Sequence, residues 1–335
     1  MIATAKGQKC PFYFVIVRRS QSAGGFLPLL RYQRGFLPLL RYPARFLTVS
    51  YRCCDISAAV AISRELNFLY FFAILRIMAR VITVCNQKGG VGKSTTVQNV
   101  AAFLAAFKKR VLVVDLDSQA NTTSGMGLLP HRLENTIYDA LIGRSRPEDT
   151  IKKTAFPFVD ILPSSSALAG ANIELIDIKN REYKLKEVLD PLRQRYDFVL
   201  IDSAPSVGLL TINALMTSSN VIIPVQCEYY ALEGLADLLR TIQLVNANLK
   251  ARVSVMGALL TMYDAQSRLH RAVAKEIRRK FPGYVFETVI PRNVSLAEAP
   301  SFGKTILQYD PYSHGAKAYC KLAQEILKLE ETRKI

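Results

Sequence analysis

Short apolar runs alternate with longer amphipathic stretches over most of this chain. The runs are rich in valine, isoleucine and leucine, which is typical of buried strands. They lie at 80–85, 111–115, 158–162, 198–202, 220–225, 253–260 and 285–290. Apolar positions at helical spacing predict helices over 95–107, 181–195, 231–247, 268–281 and 315–331, and another that opens within 209–216. Strands and helices that alternate in this way indicate an α/β fold, a doubly wound and mainly parallel sheet with helices on both faces.

The first 77 residues do not follow this pattern. The eight residues at 25–32 return unchanged at 35–42, and two copies are too few for a solenoid. The most apolar stretch, 66–75, is far shorter than the roughly 20 residues of a spanning helix. No signal-peptide cleavage site follows it, although basic and apolar residues together can also form a targeting or membrane-surface segment. We expect 1–77 to be an unstructured or non-native extension, Met78 to be the native start and 78–335 to form one domain.

A glycine-rich loop separates the first strand of that domain from its first helix. Its sequence, KGGVGKST, comprises Lys88, Gly89, Gly90, Val91, Gly92, Lys93, Ser94 and Thr95. Such a loop brings backbone N–H groups and a helix N-terminus to phosphate. The ordinary pattern has glycine where this chain has Gln87, and Lys93 and Ser94 stand where it keeps its lysine and its magnesium hydroxyl. The alternative, a glycine-rich turn with accidental lysines, does not account for this context. The loop predicts a P-loop NTPase, and its extra lysine, Lys88, predicts an ATP-driven switch completed by another subunit.

Three aspartates follow or end two other predicted strands. Asp115 is the last residue of the run at 111–115, and Asp117 follows two residues later. Asp202 is the last residue of the run at 198–202. In a doubly wound sheet the carboxyl ends of the strands hold the ligand. A single aspartate in this position is more often a helix cap or a turn residue, but three beside a phosphate loop favour a magnesium site.

The blocks around these residues resemble the ParA/Soj family of chromosome- and plasmid-partitioning ATPases. The resemblance covers roughly 78–335 and is carried by the loop and by residues 111–125, 196–215, 224–235 and 290–319. It implies that ATP and Mg²⁺ are the cofactors, that ATP drives homodimer formation, and that the dimer binds DNA without sequence preference. A ParB/Spo0J-like protein would stimulate slow ATP hydrolysis, and the protein would be cytoplasmic and nucleoid-associated.

The same resemblance implies a role for each site residue. Lys93 would bind the β- and γ-phosphates, Ser94 the magnesium and Thr95 the α-phosphate. Lys88 would reach the phosphates of the partner subunit, and both Lys88 and Asp117 would act in catalysis, Asp117 by orienting the attacking water. Asp115 and Asp202 would support magnesium. Pro291 and Asn293 would lie near the adenine.

DNA contact needs support from the chain itself, because Gln266 and Ser295 stand where the family often has arginine. The sequence has a formal net charge of +17, which favours an anionic partner. Five cations fall within an arc of about 100° on the predicted helix 268–281. They are Arg268, Arg271, Lys275, Arg278 and Arg279. An ordinary solvated face is the alternative, but a stripe of this kind predicts sequence-tolerant contact with DNA phosphates.

Other functional classes of protein are alternatives to a partitioning switch. A MinD-like positioning ATPase would need an amphipathic membrane helix, whereas we expect no stable membrane insertion here. The six cysteines and three histidines show no metal-binding spacing, which argues against an iron–sulfur reductase on the same fold. A small-molecule ligase shares the fold, and a DNA-binding regulator without ATPase activity would not need Lys88 and Asp117.

Overall fold

The computed structural model describes residues 79–228, 231–249 and 251–332, together with the backbone of four short strands nearer the N-terminus. The chain divides into two compact units, Met1–Leu75 and Arg76–Ile335. In the first unit Tyr13–Ile16 pairs antiparallel with Leu47–Ser50, and Leu29–Tyr32 pairs antiparallel with Gly35–Pro38. The rest of the expected extension 1–77 lies outside the described residues, so its status as a non-native or unstructured segment stays a prediction.

The second unit is built on a seven-stranded sheet. In chain order its strands are β1 (Arg80–Val84), β2 (Val111–Leu116), β3 (Lys152–Lys153), β4 (Val159–Leu162), β5 (Phe198–Ser203), β6 (Asn220–Gln226) and β7 (Ser254–Thr261). The spatial order is β7-β6-β1-β5-β2-β4-β3, and only β3 runs antiparallel to its neighbour. The predicted doubly wound, mainly parallel sheet is confirmed.

Helices cover both faces of this sheet. They are α1 (Lys93–Ala106), α2 (Asn121–Gly125), α3 (Ile137–Leu141), α4 (Pro147–Thr150), α5 (Ala171–Glu174), α6 (Lys184–Leu189), α7 (Leu209–Thr217), α8 (Ala231–Leu249), α9 (Arg268–Lys280), α10 (Val294–Glu298), α11 (Ile306–Tyr309) and α12 (His314–Thr332). Single 3₁₀ turns lie at Pro130–Arg132, Ser166–Gly170, Arg181–Tyr183, Arg193–Arg195 and Ala299–Phe302. No helix among the described residues is both long and apolar enough to cross a bilayer.

Each central strand is buried on both faces, which explains its continuous apolar sequence. Within β1, Val81 packs into the core on the α6 side, and Ile82 packs into the core that α1 and α12 share. Leu322 of α12 and Leu185 of α6 are fully buried in these two layers. A third apolar cluster lies under α8 and α9 at the β6–β7 end. The sheet is therefore held rigid beneath the loops at its carboxyl edge.

Two sequence predictions of secondary structure are wrong. The segment 285–290 is not a continuous strand. Val285 forms an isolated bridge to Ala258, and the Phe286 and Ile290 N–H groups donate to β7, but the N–H groups of Glu287 and Thr288 donate to the Glu325 carboxylate of α12. The predicted helix 181–195 is interrupted, because Pro191 has no N–H and its ring displaces the preceding turn. Only α6 and two 3₁₀ turns form there.

Candidate nucleotide and magnesium site

The glycine-rich loop joins β1 to α1 at the carboxyl edge of the sheet. Gly90 has φ +72° and Gly92 has φ +88°, a left-handed conformation that favours glycine. Gly92 caps α1 and accepts a 2.9 Å hydrogen bond from the Thr96 N–H. The backbone N–H groups of residues 92–95 have no acceptor among the described residues. They are free donors at the positive end of the α1 dipole, the arrangement that an anion-binding nest requires.

The two lysines of the loop have different surroundings. Lys93 is 7% exposed, and its Nζ donates to the Lys88 carbonyl oxygen at 3.0 Å. Burial lowers the pKa of Lys93, while the nearby Asp202 and Asp117 raise it. The Lys88 side chain is 51% exposed and forms an ion pair with Glu228. Lys93 is therefore fixed inside the loop, whereas Lys88 reaches away from it.

Asp115 and Asp202 lie opposite each other in the register of β2 and β5. Both are fully buried. Burial raises the pKa of each carboxyl group, and in Asp115 the charge of Asp202 adds to the shift. Two buried carboxylates in adjacent strands repel each other unless a cation or a proton is present.

The two carboxylates differ in how their oxygens are used. Asp115 accepts from the Asp117 N–H at 3.1 Å and from the N–H and hydroxyl of Thr123 at 2.8 and 2.7 Å. Asp115 therefore braces the loop that carries Asp117, and its assignment to magnesium stays a prediction. In Asp202, Oδ2 accepts from the Thr122 hydroxyl at 2.7 Å, and the buried Oδ1 accepts no hydrogen bond of acceptable geometry from a described residue.

These residues fit a magnesium ion. Mg²⁺ binds few protein oxygens directly and takes the rest of its shell from water and phosphate. The orphaned Oδ1 of Asp202 supplies one such oxygen, and the Ser94 hydroxyl lies close enough to lower the pKa of Asp202. A cation here would remove the cost of an unpaired buried carboxylate.

Asp117 follows β2 and is 8% exposed. Its Oδ1 accepts from the Gln119 N–H at 3.0 Å, and its carbonyl oxygen accepts from the Ser164 hydroxyl at 2.7 Å. The carboxylate raises the pKa of Lys93, which places it beside the phosphate loop. Its position suits a group that orients water near a phosphate.

The residues that support this site include several that the sequence analysis missed. Thr122 and Thr123 hold Asp202 and Asp115, and Ser164 holds the Asp117 loop. The adjacent threonines at the start of the short helix that follows the strand-end acids are the signal that could have found them.

The predicted adenine residues lie on a different loop. Pro291 forms an isolated bridge with Tyr263, and the Asn293 Oδ1 caps α10 by accepting from the Leu296 N–H at 3.1 Å. The capping oxygen is thus already engaged, and the assignment of Pro291 and Asn293 to adenine stays a prediction.

The basic helix α9 does not carry five equivalent cations. Arg271 donates to the carbonyl oxygens of Ala265 and Gln266, Arg278 donates to that of Phe286, and Arg279 pairs with Glu276. Arg268 and Lys275 are exposed and have no ion pair with a described residue. On the same helix Leu269 is 48% exposed, whereas Ile277 is fully buried.

Comparison with known proteins decides the family. A family model described as an AAA domain matches residues 79–255. The sporulation initiation inhibitor protein Soj of Bacillus subtilis (strain 168) is 50% identical over 249 residues, which are 74% of this chain and 98% of that protein. The chain belongs to the ParA/Soj family. The chromosome partitioning protein ParA of Myxococcus xanthus (strain DK1622), another member, is 44% identical over 251 residues and is covered over 89% of its length.

Solved structures share the fold of this chain. Cobyrinic acid a,c-diamide synthase from Mycobacterium smegmatis, with bound ADP and magnesium, superposes with a TM-score of 0.68 at 35% identity over 76% of this chain and 96% of its own. The cell division ATPase MinD of Pyrococcus furiosus superposes with a TM-score of 0.63 at 28% identity over 75% of this chain and 100% of its own. The fold is therefore that of a P-loop ATPase, and the family is that of partitioning ATPases.

Proposed function

We propose that this chain is an ATP-dependent dimerising switch that binds DNA without sequence preference and partitions a chromosome or plasmid. Mg²⁺ and ATP are its cofactors, and a ParB/Spo0J-like protein stimulates its hydrolysis of ATP. The observation that carries the proposal is the contrast within one loop. Lys93 is buried, where it would serve the protomer's own nucleotide, and Lys88 is half-exposed, where it would reach another subunit.

The chain's own groups account for nucleotide binding. The N–H groups of residues 92–95 and the Lys93 amine would receive the phosphates, with Thr95 at the α-phosphate. Ser94 and Asp202 would hold magnesium, and Asp115 would keep the neighbouring loop in place. When bound, magnesium supplies positive charge that offsets the phosphates.

Hydrolysis needs a positioned water and charge stabilisation. Asp117 would orient the water from the β2–α2 loop, which Asp115, Thr123 and Ser164 hold in place. Lys88 of the partner subunit would stabilise negative charge that develops on the phosphates. Each site would then be complete only in the dimer, so nucleotide state and assembly would be coupled.

DNA binding would use the exposed cations of α9, chiefly Arg268 and Lys275. Dimerisation would place two such helices on one particle, and contacts to more phosphates strengthen binding steeply. The α9 cations would contact phosphates and not base edges, so unrelated duplexes should bind equally well.

The deciding experiment measures DNA binding and ATPase activity of the full chain with ADP or ATP over a salt series. We expect ATP to favour DNA binding, affinity to fall as salt rises, and Lys93→Ala to lose turnover. Equal DNA affinity in ADP and ATP would contradict the switch.

A MinD-like membrane function is the second candidate, since MinD of P. furiosus shares the fold at 28% identity. The C-terminal helix α12 does not favour it. Its apolar residues Tyr319, Leu322 and Ile326 are buried in the core and are not available to a lipid surface. ATP-dependent binding to liposomes would nevertheless support the MinD-like function.

A further inference from the structure

Lys88 has a carboxylate partner within its own protomer. Its Nζ pairs with Glu228, which stands two residues beyond the end of β6. β6 is the hydrogen-bonded neighbour of β1, so the loops that follow the two strands emerge side by side. The two side chains are 51% and 43% exposed.

The backbone on both sides of this ion pair is anchored. Asn86 donates to the Pro224 carbonyl oxygen of β6 at 2.6 Å and accepts from the Lys88 N–H at 3.0 Å. The Glu228 N–H donates to Gln226, and the Glu228 carbonyl oxygen accepts from Ala231 at the start of α8. The carboxylate and the ammonium group are therefore held within reach of each other by neighbouring strands.

In the proposed dimer the Lys88 ammonium would have two competing anionic partners. One is Glu228 of its own protomer, and the other is the triphosphate bound by the second protomer. We propose that Glu228 is a positioning residue that retains Lys88 within the single protomer and sets the ATP concentration and protein concentration at which dimers form. This inference rests on the proposed function, because it assigns Lys88 to the partner's nucleotide.

The expected size of the effect follows from the exposure of the pair. A half-exposed ion pair shifts an equilibrium by roughly 1.5- to 5-fold. Each dimer releases two such pairs, so loss of the Glu228 charge should tighten dimerisation by about 2- to 25-fold. Screening weakens an exposed pair, so this difference should shrink as salt rises.

The test measures the dimer dissociation constant of the full chain by sedimentation, with Mg²⁺ and AMPPNP, at low and high salt. Glu228→Gln keeps the size of the side chain and removes its charge, and it should lower that constant. Glu228→Asp keeps the charge and should lie closer to the wild type. The control is Glu233→Gln, an exposed acid of α8 without an ion pair to a described residue, which should leave the constant unchanged.

A second arm removes Lys88. Lys88→Ala should abolish nucleotide-dependent dimers, and the double variant Lys88→Ala, Glu228→Gln should be no better. An unchanged or weaker dimer in Glu228→Gln would overturn the role of Glu228, as would a gain that persists without Lys88. If the wild type forms no dimer with AMPPNP, or if Lys88→Ala dimerises normally, the proposed function itself is wrong. Those two results are independent of the effect of Glu228→Gln.

Discussion

The carboxyl edge of the sheet and the outer face of α9 both collect charge, but they do so in different ways. At the sheet edge Lys93, Asp115 and Asp202 are buried, and one Asp202 oxygen lacks a partner. On α9 the cations are exposed, and three of the five bond to groups of the same protomer. A buried, unsatisfied charge costs folding free energy, whereas an exposed charge costs little. The first pattern therefore points to a ligand much more strongly than the second.

The largest expected effect is at the sheet edge. Lys93→Ala removes the one buried cation of the loop and should reduce ATP turnover by at least about 1,000-fold, the scale of a charge that stabilises phosphoryl transfer. Steady-state phosphate release measures it. Lys321→Ala, at an exposed position of α12, is the matched control and should keep wild-type turnover. Full turnover by Lys93→Ala would refute the proposed site.

Asp117→Ala separates binding from hydrolysis at the same edge. Loss of the group that orients water should slow hydrolysis by about 100-fold or more. Lys93, Lys88 and the loop N–H groups remain, so dimers formed with ATP should persist. Size-exclusion chromatography after addition of ATP, alongside phosphate release, follows both. Rapid return to monomers would remove Asp117 from its proposed role.

The α9 face should give a smaller and salt-sensitive effect. Arg268→Glu combined with Lys275→Glu reverses two exposed cations of α9 whose side chains have neither an ion pair nor a hydrogen bond to a described residue. DNA affinity with ATP should fall about 10- to 100-fold at low salt, and its salt dependence should become shallower.

The matched control for this face is Lys317→Glu combined with Lys321→Glu, which makes the same change in net charge on α12. Fluorescence anisotropy with two unrelated duplexes compares the variants with the wild type. Equal losses in both double variants would show that net charge, and not the α9 face, drives DNA binding.

The smallest effect concerns stability and pH. The folded-state pKa values of Asp115 and Asp202 are raised above their unfolded values. The folded protein therefore retains protons that the unfolded chain releases above about pH 4. Without magnesium, its stability should fall as pH rises through the window between the unfolded and the raised folded pKa values. Magnesium binds the ionised carboxylate, so the increase in Tm with Mg²⁺ and ADP should be larger at pH 8 than at pH 5.5.

Asp202→Asn tests the cause of that pH dependence. It removes the buried charge and should stabilise the magnesium-free protein at pH 8 by about 1–3 kcal/mol, because each unit of pKa shift corresponds to about 1.4 kcal/mol. The amide oxygen can still accept from Thr122. The same variant should lose most of the magnesium-dependent shift in Tm. An unchanged response to magnesium would place the ion elsewhere.

The strand boundaries show where the local sequence was sufficient to predict secondary structure. The strands 80–85 and 198–202 are recovered as β1 and β5 to within one residue, because a strand buried on both faces leaves a continuous apolar run. The segment 285–290 has the same kind of sequence, and its Phe286 and Ile290 N–H groups donate to β7. The Glu325 carboxylate, however, accepts from the N–H groups of Glu287 and Thr288 between them. Glu325 is 35 or more residues away in sequence. The periodicity of 285–290 therefore does not reveal that a carboxylate competes with β7 for its N–H groups.

The sequence by itself determined the α/β class, the phosphate loop and the three aspartates near it. These follow from local patterns: a β-branched run, a glycine-rich loop before a helix and an acid where a strand ends. The tertiary structure alone decided that both Asp115 oxygens accept hydrogen bonds while one Asp202 oxygen does not. It also decided that Lys93 is buried while Lys88 pairs with Glu228, and that three α9 arginines bond within the protomer. Each of these depends on which strands and helices pack side by side, and the free energy of a charge depends on those neighbours more than on its own position in the chain.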